Sequence, residues 1–394
     1  MVQVPAAERR LVVANVLEEA RFGGPQRRVG LVGERLAADH GVDTVAVVAT
    51  RDGARTRAWL ADHGVAVRSL GLNRLSKAPG DALRFAAGFP GEMVALSRLL
   101  RELRPDLVHV NGSWQWKGLL AAHRLGLPCV WHLNDTAMPG PVNWVFRQLA
   151  GRRGDGFIVA AERVADYYLS GLEGARPVVR IDAPVDTRRF DPDRVAPDPV
   201  IAQLPGLKLV MVGNMNPVKG HDVLLDAMAH LRARAPEQPV SLVLVGPFLD
   251  SHRAYGEGLR DRCRRDGLDN VHFWGGSDAI ERCLAAADAY VCASRFEASP
   301  MAVWEAMAMG LPVVSTDVGD VAQVMGAAGL GAAVPPGDAA ALAEALVAMV
   351  ARPAETRRAM GAAARRMAER RFTVDAVAAR HAAFYRGVLD RPAA

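Results

Sequence analysis

The sequence predicts an α/β protein built on two doubly wound parallel sheets. Three observations carry this expectation. Short β-branched runs alternate with amphipathic helical stretches, the pattern of parallel strands joined by crossover helices. The alternation falls into two series, separated by IDAPVDTRRFDPDRVAPDPVIAQLPG (181–206), a Pro- and Asp-rich stretch without periodicity. The length, 394 residues, suits two domains that each bury a core of their own.

In the first series the strands are Leu11–Leu17, Thr44–Thr50, Val65–Leu70, Leu107–Val110, Cys129–Leu133 and Gly156–Val159. Helical windows near 25–39, 54–63, 91–103, 115–125 and 161–171 connect them. The second series has strands at Leu207–Val212, Val240–Val245, Val271–Trp274, Ala289–Cys292 and Pro312–Ser315. Its helices fall near 219–234, 253–266, 278–286 and 300–309. The Ala- and Arg-rich end, 338–389, is helical and long enough to cross back to the first domain. The expected division is therefore a domain at 1–185, a linker at 186–206 and a domain at 207–372, with a helix at about 373–394 packing on the first.

Composition narrows the class. Hydrophobic residues make up 50% and charged residues 23%, which excludes a disordered or fibrous chain. No apolar run reaches the ~18 residues of a membrane span, and MVQVPAAERR lacks signal architecture. The four cysteines (Cys129, Cys263, Cys283, Cys292) form no CxxC pair and have no zinc spacing, so a reducing cytoplasm is expected. Residues 1–180 carry net charge +7 and the remainder −2, which directs an anionic partner or surface toward the first half. Nucleic acid is disfavoured as that partner, because no basic run exceeds two residues and no nucleic-acid motif appears.

In paired doubly wound sheets, ligands collect in the crevice at the carboxyl ends of the strands. Three strand-to-helix junctions stand out. After Leu11–Leu17, Gly23 and Gly24 precede a helix near Pro25, where free N–H groups favour an anion; an ordinary tight turn reads the same way. After Leu207–Val212, GNMNPVKGHD places Lys219 at a helix start without forming a Walker P-loop. It supplies a compact positive charge beside a helix dipole, or is a solvated surface lysine. After Ala289–Cys292, Glu297 lies in the loop, Pro300 suits a first helical turn and Glu305 falls inside an apolar helix. A buried Glu305 needs a partner, which ribose hydroxyls would supply. The N–H groups of Ser299, Met301 and Ala302, around Pro300, sit at a helix N-terminus, a position suited to phosphate oxygens. Each carboxylate alone also fits an exposed surface residue.

The run VHFWGGSDAIERCLAAADAYVCASRFEASPMAVWEAMAMGLPVVSTD (271–317), with Glu297 and Glu305 in an E-x7-E element, resembles retaining glycosyltransferases of the GT4 type, glycosyl transferases group 1. The resemblance extends to VGNMNPVKGHDVLLDAM (212–228), the Gly-Gly loop, VHVNGSWQWKG (108–118) and AAVPPGDAAALAEAL (332–346). It implies the GT-B fold, two Rossmann-like doubly wound parallel-sheet domains facing a central cleft. It further implies that Lys219 holds the donor diphosphate, Glu305 the ribose and Glu297 the donor sugar. Ser299, Pro300 and Met301 then lie near sugar and phosphates, and Gly23 and Gly24 by the diphosphate. His132, in VWHLNDT, matches a family histidine near the sugar; a satisfied core imidazole fits it equally well. Asn214 stands where the family often has an arginine. Ala183-Pro184-Val185-Asp186 and Gly319-Asp320-Val321-Ala322-Gln323 also depart from the family pattern, so donor preference is open to a shift.

The resemblance implies a nucleotide diphosphate sugar as co-substrate, UDP-linked first and GDP-linked next. It implies no cofactor and no metal, in keeping with the missing Asp-x-Asp motif, and retention of anomeric configuration. The acceptor, a glycan or lipid-linked molecule of surface polysaccharide or glycolipid synthesis, is expected on the first domain. Trp114 and Trp116 offer indole faces there, as do Trp131 and Trp144 if they are not core. GEMVALSRLLRELR (91–104) sets Met93, Leu96, Leu100 and Leu103 on one face beside three arginines, and Arg74, Lys77, Arg84, Phe85 and Phe89 precede it. That is the pattern of peripheral contact with an anionic membrane on its inner face, and equally that of an ordinary core helix. A nucleotide-sugar epimerase of the same fold, an NAD-dependent oxidoreductase and a non-catalytic nucleotide-sugar sensor are the rival readings.

Overall fold

The computed structural model describes residues 9–75, 79–172, 176–326 and 329–391; Lys77 lies outside them. The chain forms two units, Met1–Pro184 with Val374–Ala394, and Val185–Thr373.

The first unit runs β1 (Leu11–Leu17), α1 (Gly24–Asp39), β2 (Val42–Ala49), α2 (Ala54–Asp62), β3 (Ala66–Leu70), α3 (Pro79–Leu103), β4 (Leu107–Asn111), α4 (Trp116–Arg124), β5 (Cys129–Leu133), α5 (Gly140–Arg153), β6 (Gly156–Val159), α6 (Glu162–Leu169) and β7 (Val178–Arg180). All pairings are parallel, in the order β3-β2-β1-β4-β5-β6-β7. Central strands such as β4 and β5 are buried at every residue, which is why they read as continuous apolar runs.

The second unit runs α7 (Pro199–Ala202), β8 (Leu207–Val212), α8 (His221–Arg234), β9 (Val240–Val245), α9 (Arg253–Arg265), β10 (Val271–Gly275), α10 (Ile280–Ala285), β11 (Ala289–Cys292), α11 (Met301–Ala308), β12 (Val313–Thr316), α12 (Val321–Gly326), β13 (Gly331–Val334), α13 (Ala339–Ala351) and α14 (Ala354–Arg371). Its six parallel strands are ordered β10-β9-β8-β11-β12-β13. The last helix, α15 (Val374–Leu389), belongs to the first unit. It packs on α1, with an Arg35–Asp375 ion pair at 2.6 Å and Val377, Ala378 and Tyr385 in the core.

Several elements differ from the sequence expectation. The segment 186–206 is no free linker but part of the second unit. Phe190 is buried, Arg189 pairs with Glu281 at 2.8 Å, and Asp198 both caps α7 and donates its N–H to the Arg282 carbonyl. β13 carries no strand signal in the sequence, because Gly331-Ala-Ala-Val has one β-branched residue. Glycine is needed there, since a Cβ would stand 1.7 Å from the Val313 carbonyl oxygen. The helix expected from residue 91 begins at Pro79 and runs through Pro90. Its lost hydrogen bond is offset by a long inner face that includes Leu96 and Leu100, both fully buried. That face is core, so the apolar stripe at Met93, Leu96 and Leu100 does not meet lipid. The preceding cations are also engaged: Arg74 with Glu19 and Asp81, and Arg84 with Asp81. α5 was hidden behind Pro139 and Pro141, which start the helix rather than break it. Phe146 then packs on Trp131 and Tyr168.

Candidate active site

In the second sheet the strand order reverses between β8 and β11. The connections leaving these neighbours diverge, which opens a crevice at their carboxyl ends. Two loops build it. After β8, the Asn216 side chain accepts from the Val218 and Lys219 amides (3.0 and 3.3 Å), winding Pro217–Lys219 into a short 3-10 turn. Gly220 follows at φ +68°, and a Cβ there would stand 2.0 Å from the Ala293 carbonyl oxygen. Only glycine satisfies both demands. The turn lays the Lys219 stem over Gly213, whose missing side chain leaves room for it.

The Lys219 ammonium meets the Glu297 carboxylate, which also accepts from the Ser294 hydroxyl at 3.1 Å. Burial alone would lower the Lys219 pKa. The charge and hydrogen bond of Glu297, with the charges of Cys292 and Glu305, outweigh it and raise the value above the ordinary lysine range, so the ammonium stays charged. Glu305 is buried inside α11. Its neighbour Trp304 is fixed by an indole hydrogen bond to the Ser299 hydroxyl at 3.0 Å and by stacking on Phe372. Pro300 caps α11 and Met301 opens it. Gly319, at φ +56°, presses the β12–α12 connection onto this loop; a Cβ there would lie 2.4 Å from the Ala298 carbonyl oxygen. Lys219, Glu297, Ser299, Pro300, Met301 and Glu305 thus share the two loops and the helix start. Asn214 lies on the first loop with an exposed side chain.

One residue that the sequence did not single out joins the loops. Arg295 makes a two-pronged ion pair with Asp222 (2.8 and 2.6 Å). It also donates from its side chain to the Pro217 carbonyl and from its backbone to Val218, both at 2.7 Å. Tyr255 donates to the same carboxylate at 2.8 Å. The Arg295 hydrogen bond, against the cost of burial, leads the causes that hold Asp222 down to about 2. Arg295 stands two residues before Glu297 and Asp222 three after Lys219, so the clamp holds the two loops that carry the pair. Its signal in the sequence was an arginine in a strand-end loop, indistinguishable from the many surface arginines.

The first unit treats its candidates differently. Gly23 caps α1 and Gly24 is its first residue. Trp114 and Trp116 are half-buried at the start of α4, the Trp116 indole bonded to the Ser113 carbonyl at 2.8 Å. Trp131 is core and Trp144 is 65% exposed. Of its two readings, His132 fits the core imidazole. It is 1% exposed, bonded to the buried Arg28 guanidinium, and grouped with His109 and His381 at ring distances of 5.5 and 5.8 Å. Burial first, then the Arg28 charge, drives its pKa well below the histidine range. Its position on a buried strand turns it into the packing layer under α1 and α15. A second buried group surrounds Lys117, whose ammonium pairs with Glu92 at 2.8 Å and Glu18 at 3.7 Å. It stacks on the Phe85 ring at 3.9 Å. Among the described residues no cluster of His, Cys, Asp and Glu could hold a metal ion.

Comparisons with known proteins agree with this architecture. Residues 206–352 match the family model described as Glycosyl transferases group 1, and residues 23–182 match Glycosyl transferase 4-like domain. The chain is 30% identical to the D-inositol 3-phosphate glycosyltransferase of Saccharomonospora viridis, over 69% of this chain and 68% of that one. It is 27% identical to the lipopolysaccharide core biosynthesis mannosyltransferase LpsB of Rhizobium meliloti, over 59% of this chain and 72% of the relative. Among solved structures, Anabaena HepE in complex with UDP and glucose superposes with a TM-score of 0.76 at 20% identity, covering 94% of this chain and 98% of HepE. Two parallel-sheet α/β units, the paired loops and these matches together place the chain in the GT4-type, group 1 glycosyltransferases of GT-B fold, enzymes that transfer sugars.

Proposed function

We propose that this glycosyltransferase moves a hexose from a nucleotide diphosphate sugar, UDP-linked in preference to GDP-linked, to a glycan or lipid-linked acceptor of surface polysaccharide or glycolipid synthesis. The observation that carries the donor assignment is the charged Lys219 held against Glu297 beside the start of α11. As the bond from the sugar's anomeric carbon to the diphosphate breaks, negative charge grows on the departing phosphate. A fixed ammonium and the first N–H groups of α11 neutralise it without reorganisation. Glu305 accepts the ribose hydroxyls and Glu297 orients the sugar. Gly23 and Gly24 offer the first amides of α1 as further diphosphate contacts, with Trp114 and Trp116 toward the acceptor. Support for UDP and a hexose comes from the UDP and glucose bound by HepE and the mannosyl transfer named for LpsB.

Transfer proceeds with retention and without metal. The acceptor oxygen attacks from the side the diphosphate leaves, forming the new bond to the anomeric carbon as the old one breaks. The acceptor proton passes to the departing phosphate oxygen. Lys219→Met should lower kcat by about 10²–10³, and a chelator should leave the rate unchanged. Full activity in the Lys219→Met protein would overturn the donor assignment. Loss of activity on chelation would overturn the metal-free route.

A further inference from the structure

The start of α11 and Glu305 carry the donor reading, yet α11 has only eight residues (Met301–Ala308). A helix of about two turns is not stable on its own hydrogen bonds, so its place is set by what holds it. α11 packs on α14. The approach is close: a Cβ on Gly361 of α14 would stand 1.9 Å from the carbonyl oxygen of Gly310, just beyond α11. One turn further along α14 stands Arg365.

The Arg365 side chain is 18% exposed. One terminal nitrogen donates to the Ala308 carbonyl at 2.5 Å and to the Phe190 carbonyl, and the other donates to the Thr187 carbonyl at 3.4 Å. Its Nε donates to Glu369 at 2.6 Å. Ala308 ends α11. The last carbonyls of a helix lack partners within it and carry the negative end of its dipole, so a cation on them satisfies and stabilises that end. The other two carbonyls belong to the segment that opens the second unit at Val185. The segment that closes the unit reaches α11 as well. Phe372 stacks on Trp304 with ring centroids 4.3 Å apart, and its carbonyl accepts from the Val185 amide at 2.7 Å. α11 is thus held by the first and last segments of its own unit, and Arg365 ties the first of them to its C-terminal end.

We propose that Arg365 is a positioning residue of the donor site. By fixing the end of α11 to the 187–190 segment, it sets where the first N–H groups of the helix and Glu305 meet the nucleotide. It acts through the helix and touches no reacting atom. The inference rests on the donor reading of Lys219, Glu305 and the start of α11. The role needs a fork. Three carbonyls from two separate segments converge on one planar group, and a lysine, a point charge on a flexible stem, cannot hold them in that arrangement. Arg365→Met keeps an apolar stem and leaves the three carbonyls without this donor, so the helix gains play. A misplacement of about 1 Å, caused far from the chemistry, costs about a hundredfold in rate; for a bound nucleotide that keeps its other contacts, about tenfold in affinity is expected. An arginine of purely structural use would alter unfolding and leave nucleotide affinity as it was.

The test is isothermal titration of the full chain with UDP and with GDP, below the melting range of every variant, beside urea unfolding. Arg365→Met and Arg365→Lys should each weaken binding of the preferred nucleotide by about tenfold. Trp304→Phe, which keeps a ring on Phe372 and loses the bond to Ser299, should weaken it too. Combined with Arg365→Met, the loss should fall short of the product of the two, since both act by placing one helix. Circular dichroism checks folding; if Arg365→Met does not fold, Arg365→Lys and Trp304→Phe decide. A lowered urea midpoint with unaltered nucleotide affinity in the folded Arg365 variants overturns the proposal, as does full affinity in Arg365→Lys. Lys219→Met separates that failure from failure of the donor reading. If Lys219→Met loses nucleotide binding while the Arg365 variants keep it, only the positioning role falls. If Lys219→Met binds as tightly as the native chain, or the native chain binds neither nucleotide, the donor reading falls and this proposal with it.

Discussion

Lowering the pH from 7 to 5 should destabilise the first unit through its buried imidazoles. His109, His132 and His381 are held neutral chiefly by burial, with the Arg28 charge next. In the unfolded chain each would protonate near the ordinary value of about 6.5. Below that value the unfolded state binds more protons than the native one. Stability therefore falls as the pH falls, and keeps falling until the folded pKa is reached, about 3 for His381. Each imidazole still neutral at pH 5 costs about 2 kcal/mol relative to pH 7, about 6 kcal/mol for the three. Glu18 acts in the opposite sense. Burial raises its carboxyl from 4.5 to about 7, so the native state takes up the proton first and about 2 kcal/mol returns over the same descent. The net loss of about 4 kcal/mol is a large part of the 5–15 kcal/mol typical of a folded domain. In the second unit His221, lowered by burial to about 4, accounts for about 2 kcal/mol. Pulsed hydrogen exchange in urea, read on peptides covering β4, β5 and α15, reports the first unit separately from β8 and β9. The expected result is a urea midpoint that drops more for the first set. Equal midpoints at both pH values for β4, β5 and α15 would refute the reasoning.

Four further perturbations test the interior and the site. Arg295→Ala should cut kcat/KM for the donor sugar by about tenfold through loss of the loop clamp, an interaction of hydrogen-bonded charged groups. Arg295→Lys should restore little, because a single ammonium cannot replace the two-pronged contact; steady-state kinetics decides, and an unaltered kcat/KM removes the clamp. Gly220→Ala should lower the melting temperature, since the left-handed backbone and the Ala293 carbonyl both oppose a side chain; an unchanged melting curve would contradict that. Lys117→Met should cost about 3–5 kcal/mol in urea unfolding, because it leaves Glu92 and Glu18 buried without their cation. In the donor site, Glu305→Ala should remove most of the thermal stabilisation given by UDP, roughly 2.7 kcal/mol at a hundredfold excess over Kd; a full shift in the variant would tell against the ribose role.

Much of the donor site was legible because its parts are close in sequence and chemically unusual. Glu305 in an apolar helix, Lys219 beside a glycine and Pro300 at a helix start each break the local pattern, and such breaks mark sites. Arg295 carried no such mark, since its importance depends on Asp222 and Val218, which lie more than seventy residues away. The two readings of the α3 stripe stayed open in the sequence for a related reason. Helical periodicity gives an apolar face but not what covers it, and only the structure shows Leu96 and Leu100 fully buried. Trp144 could not be separated from Trp131 until one proved exposed and the other core.

The sequence alone determined the alternation of strands and helices, the two-sheet class and the loops in which Lys219, Glu297 and Glu305 sit. Those features follow from local periodicity, turn residues and short-range spacing. Only tertiary structure decided that 186–206 packs into the second unit, that His132 is sealed beneath α1 and α15, and that Arg295 bridges two loops. Burial and pairing between distant segments are set by how the layers stack, and no local window of the chain contains that information.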